Sequence, residues 1–154
     1  MLDCYTEDSI NSASEIGKYL ALNDETILDI YYVNDITFEK YCNYKGYCIK
    51  TNYQIIYFLI ESVELCCETF GVDFYKEDNT RKKWDYDVIE DLSFFINKKL
   101  KEISFKSSSN DGDIIYRLNI DDNFFNIKVY NYHNGYYSHL TYIKYGSYFE
   151  KDPL

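Results

Sequence analysis

The sequence predicts an α+β fold, with N-terminal helices packed on one face of a C-terminal antiparallel four-stranded meander. Two observations carry that expectation. Over residues 51–71 apolar side chains recur at steps of three and four, as on a buried helix face. From Glu102 onward the apolar period falls to two, as in half-buried strands. Helices followed by a run of strands pack as two layers around one core. With no linker or internal repeat, the chain is read as a single domain over residues 1–154, helical over about 6–101 and a meander over about 102–149.

Each element has its own warrant. Thr6 or Asp8 caps a first helix running to Leu22, with Ile10, Ala13, Ile16 and Leu20 buried. Residues 27–33 suit either a strand or a helix, and the acidic residues before them favour helix. Residues 38–47 read as a connection ending near Gly46. Thr51 and Gln54 have capping-box spacing and open the central helix. Its stripe is Ile56, Leu59, Val63, Cys66 and Phe70, widened by Ile55, Ile60 and Cys67, and Gly71 ends it. After a polar loop at 76–80 and the basic triplet Arg81, Lys82 and Lys83, Asp85 or Asp87 caps another helix. There Val88, Leu92, Phe95, Ile96 and Leu100 face inward, with carboxylates at the start and lysines at the end, as the macrodipole favours. The alternating runs Ile103 and Phe105, Ile114 to Ile120, Phe125 to Val129, and Tyr137 to Tyr145 supply four strands. Asp111-Gly112, Asp121-Asp122-Asn123 and Asn134-Gly135 mark the turns between them.

Composition narrows the chemistry. The formal net charge of −10 lies entirely within residues 1–80, the remainder being neutral. Such asymmetry suits a basic partner and argues against direct nucleic-acid binding, which needs clustered lysine and arginine. Abundant Tyr, Asn, Ile, Lys, Asp and Phe beside scarce Ala, Arg and Pro fits A- and T-rich codons, pointing to a bacterial or phage source. Five cysteines without framework spacing, and no secretory leader, point to reduced thiols and a cytoplasmic location. The longest apolar run, residues 55–60, is too short to span a membrane.

Catalytic and metal chemistry find little purchase. His133 and His139 have no Cys or His at metal-ligand spacing beside them, and Cys42 and Cys48 make a poor zinc pair alone. No glycine-rich phosphate loop or nucleophile elbow occurs, so the chain is read as a non-enzyme with no catalytic residue, metal or cofactor.

Binding chemistry is better represented. Glu61, Glu64 and Glu68 form an acidic stripe on the exposed face of the central helix, with Asp24, Glu25 and Asp29 as a second acidic surface. Tyr130, Tyr132 and Tyr136 fall on or beside the outer face of the last strands, where tyrosine serves as an interface anchor. In size, charge, codon bias and lack of chemistry, the chain resembles the immunity proteins that bacteria keep against nuclease-type toxins, such as those of contact-dependent inhibition. That likeness implies a toxin inhibitor that neutralises a basic protein partner, with no family motif from which to transfer residues. The other expectations are a phage-encoded inhibitor such as an anti-CRISPR protein mimicking nucleic acid, a small enzyme with an unrecognised site, and a structural subunit of a complex.

Overall fold

The computed structural model describes residues 24–39, 42–63, 69–109, 112–132, 138–145 and 148–154, and among these the architecture is all β. The strands are β1 (Glu25–Glu39), β2 (Cys42–Thr51), β3 (Ile55–Glu61), β4 (Thr69–Lys76), β5 (Lys99–Ser109), β6 (Asp113–Ile120), β7 (Asn123–Tyr132), β8 (Leu140–Tyr145) and β9 (Tyr148–Pro153). They form one antiparallel sheet in the order β4-β7-β6-β5-β1-β2-β3-β8-β9. The α+β expectation is overturned: among the described residues the sole helical element is a single 3-10 turn at Leu92–Phe95.

The sheet has a narrow waist, because β1 joins β5 through only two residue pairs, Glu25 with Leu100 and Thr26 with Lys99. About that waist the halves fold over one another. Phe58 of β3 meets Tyr116 of β6 with ring centres 5.5 Å apart, and Tyr47 of β2 meets Phe74 of β4 at 5.7 Å. Ile27, Ile49, Ile56, Leu100, Leu118 and Val129 fill the space between, all buried. A second cluster of Cys42, Tyr44, Cys48, Leu59, Leu140 and Tyr142 lies on the opposite face of β2 and β3. Strand β3 is therefore buried on both sides, Ile56, Phe58 and Ile60 in one cluster and Leu59 in the other.

That double burial explains the central misreading. A strand covered on both faces shows no alternation, and a short continuous apolar run has no period that separates strand from helix. The β-branched and aromatic content of residues 55–60 decides for the strand. Thr51 Oγ1 does accept the Gln54 N–H at 3.2 Å, but it also accepts the Tyr53 N–H and closes the β2–β3 turn. The same hydroxyl motif serves turns and helix starts alike. Residues 27–33 belong to β1, and residues 38–47, expected to be a connection, fall largely in β1 and β2. The expected first helix to Leu22 lies outside the described residues.

The expected helix after Asp85 is likewise absent. Asp91 caps only the 3-10 turn, where its side chain accepts the Ser93 N–H, and Asn97 leaves it at φ 68°. The meander is right for β5, β6 and β7, where Asp121 and Asp122 both take positive φ, as a two-residue hairpin turn requires. It fails beyond them. Strand β8 pairs with β3 and β9, not β7, and β9 itself was not anticipated past Gly146.

The thiols also differ from expectation. Cys42 is disulfide-bonded, with its partner outside the described residues, while Cys48 is free and buried. Burial pushes the Cys48 thiol up to about 12, against the lowering effect of a hydrogen bond with Tyr31. Of the five cysteines, at most three should therefore react with a thiol reagent in denatured, non-reduced protein. Recovery of all five would show that the Cys42 bond does not form in the natively expressed chain.

Candidate partner-binding surface

The irregular segment 77–97 is the part of the described chain least committed to the sheet, and three anchors position it. Glu77 receives Lys106 at 2.8 Å and Arg117 at 3.0 Å. Burial alone would raise its carboxyl; hydrogen bonds from both cations bring it below its ordinary range instead. The Ile89 N–H then donates to the Phe74 carbonyl at 2.8 Å, so the segment covers the otherwise open edge of β4. Finally, Phe95 packs against both Phe74 and Phe125, which also touch each other, and closes one end of the core.

Between these anchors lies a layer of aromatics and charges on the outer face of β4, β7 and β6. Tyr86 stacks on Tyr75 with ring centres 3.9 Å apart and donates its hydroxyl to Asp73 at 2.6 Å. Burial, then this hydrogen bond, raises the Tyr86 phenol well above its usual value. Lys83 pairs with the fully buried Asp113 at 2.8 Å. Beneath them Lys128, 1% exposed, places its Nζ 4.4 Å from the Tyr86 ring centre and 4.9 Å from that of Trp84. Its Nζ has no hydrogen-bond partner among the described residues. Burial lowers its pKa, opposed by the fields of Asp113 and Asp73, so the rings and carboxylates compensate the cation only in part.

Trp84 emerges from this layer. Its ring rests edge-on against Tyr132 at 5.1 Å and lies near Lys83 and Lys128, yet the residue is 55% exposed. Val88, Phe94 and Ile96 of the same segment are also exposed. Interleaved with them are the exposed carboxylates of Asp85, Asp87, Glu90 and Asp91. Arg81 holds Asp85 at 2.8 Å and Asp87 at 3.2 Å, which keeps the Asp85 carboxyl below its ordinary range. Glu90 and Asp91 make no ion pair among the described residues.

The residues expected to bind a partner are scattered by the fold. Glu61 ends β3 half-buried, its backbone carbonyl 2.8 Å from His139 Nδ1 and its side chain 3.5 Å from the Leu140 nitrogen. Glu64, Glu68 and Tyr136 lie outside the described residues, and no helical stripe exists at Glu61. Asp24 precedes β1 in an exposed turn, 3.9 Å from Lys99, and Asp29 is exposed on β1. Glu25 is fully buried and accepts hydrogen bonds from Thr51 at 2.7 Å and Gln54 at 3.1 Å, so it cannot meet a partner. Tyr130 and Tyr132 do lie on the outer face of β7, stacked at 5.1 Å. Burial pushes the Tyr130 phenol up to about 12.

Sequence reasoning passed over Trp84 because it treated residues after the basic triplet as a helix start. The usable signal was the chain's single tryptophan set among three acidic or tyrosine neighbours in a polar stretch. His139, buried and stacked on Phe70 at 4.1 Å, lies in no group of three or more potential metal ligands among the described residues. Among those residues, too, no helix is long and apolar enough to cross a membrane. No family model, curated protein or solved structure matches the chain.

Proposed function

We propose that this chain is an acidic binding protein that neutralises a basic protein partner, as an immunity protein does against a nuclease-type toxin. The observation that carries the proposal is Trp84: a large aromatic held in place from below, exposed above, and followed in the chain by the exposed carboxylates of Asp87, Glu90 and Asp91. Buried-edge tryptophans are the side chains most often responsible for binding energy, and carboxylates around them speed encounter with a cationic surface. In this reading Trp84 is the anchor, while Glu90, Asp91 and the outlying Asp29 steer. Its setting is the cytoplasm, where a nuclease-type toxin acts; the Cys42 disulfide stands against that setting, since reducing compartments keep thiols reduced.

The test is affinity capture from lysate of the source cell at low and high salt, with wild type beside Trp84→Ala and the Glu90→Gln/Asp91→Asn pair. A single basic protein should be retained by wild type. It should be lost with Trp84→Ala through faster dissociation, at a cost of about 2 kcal/mol or more. With the acidic pair it should associate more slowly and with flatter salt dependence. Retention of the same protein by all three would remove this surface from the proposal, and capture of an acidic protein would overturn it.

A further inference from the structure

Among the described residues, segment 76–83 gathers positive charge on this acidic chain. A cavity of about 230 Å³ opens between segment 76–86 and the outer face of the sheet. Its floor is Tyr75, Ile115 and Asn126, and its walls carry Lys76, Arg81, Lys82, Lys83 and Lys106 against only Asp78 and Asp85. We propose that this cavity binds the phosphoryl group of a small phosphomonoester.

Three of the five cations are already engaged: Arg81 with Asp85 and Asp87, Lys83 with Asp113, and Lys106 with Glu77. The Arg81 pairs brace the segment internally, and the Lys83 and Lys106 pairs tie it to the sheet. Lys76 and Lys82 make no ion pair with any described carboxylate, and they supply the unsatisfied positive charge. Of the two acidic residues, Asp78 accepts the Thr80 N–H at 2.9 Å and its hydroxyl at 2.6 Å, and Asp85 is held by Arg81. A dianion entering the cavity therefore meets two free ammonium groups and the outer edge of a guanidinium, the charged donors that phosphate recognition uses. Size sets the rest. A volume of about 230 Å³ holds several waters, and so a phosphoryl group and a short stem. The cavity borders the Trp84 surface, sharing Lys83, Asp85 and Tyr86 with it, while Lys76 and Lys82 make none of the contacts that hold Trp84.

Titration calorimetry of the whole chain at fixed ionic strength tests the proposal, with inorganic phosphate and ribose 5-phosphate as probes and chloride as the reference anion. Saturable one-to-one binding is expected for both probes. It should weaken about a hundredfold in Lys76→Gln/Lys82→Gln, since each of the two charge-assisted hydrogen bonds is worth roughly a factor of ten. It should be unchanged in Lys50→Gln, a lysine exposed on β2 away from the cavity. Affinity should also fall as pH drops through about 6, where phosphate loses its second charge. No saturation by either probe, equal binding by the double variant, or equal weakening by Lys50→Gln would each overturn it. Circular dichroism of the double variant, whose lysines are both exposed, separates lost binding from lost folding.

Discussion

Replacing Gly46 by alanine should destabilise the fold by about 2–6 kcal/mol, summing a strained backbone and an overpacked interior at about 1–3 kcal/mol each. Gly46 sits in the middle of β2 at φ +144°, a conformation that side-chain-bearing residues rarely adopt. A Cβ there would lie 2.2 Å from the backbone oxygen of Phe58 and 3.0 Å from Val72 of the opposing half. The first atom belongs to the paired strand β3 and cannot move without breaking the sheet; the second belongs to β4, packed across the core. Gly71→Ala is the internal comparison. Its Cβ would meet the Tyr130 hydroxyl at 3.0 Å, the far end of a side chain that can shift, so its cost should be much smaller. Urea midpoints at unchanged slope would measure both. Equal costs for the two glycines would mean that Gly46 does not hold its positive φ against the β3 backbone as described.

What could be read from the sequence follows from which faces are covered. Strands β6 and β7 alternate because their outer face carries polar groups such as Asp113, Arg117, Asn119, Asn126 and Lys128, and so their period of two was legible. Strand β3 is covered on both faces and was not. The misplaced helix after Asp85 has a different cause. Its acidic start and lysine end fit a macrodipole, yet the lysines serve as clamps on turns far away in sequence. Lys101 reaches Asp122 at 3.0 Å, Lys99 lies 3.9 Å from Asp24, and Lys98 lies 4.0 Å from Asp121. Charge order along a segment cannot distinguish these uses. The pairing of β8 with β3 was equally hidden, because nothing local announces a partner about eighty residues away. Tyr130 and Tyr132 do share the outer face of β7, as the period of two there predicts. Glu25 illustrates the opposite error: acidic and near the start of a charged stretch, it is enclosed by Thr51 and Gln54.

Adjacent substitutions in β3 should separate strand from helix most sharply. Phe58→Ala is expected to cost about 3–5 kcal/mol and Leu59→Ala about 2–5 kcal/mol, because each empties a fully buried site. They empty different clusters. Phe58 packs on Tyr116 across the main core, whereas Leu59 sits with Tyr44, Cys48 and Tyr142 on the other face. Val63→Ala, at a residue 45% exposed, should fall within about 0.5 kcal/mol of wild type. The helical stripe makes another forecast: Leu59 and Val63 share a buried face, and Phe58 is not part of it. Because Phe58 and Leu59 face opposite sides of one strand and share no cluster, the double variant should lose nearly the sum of the two single losses. Thermal or chemical unfolding of the three single variants decides the matter. A harmless Phe58→Ala beside a costly Val63→Ala would restore the helix and remove β3 from the sheet.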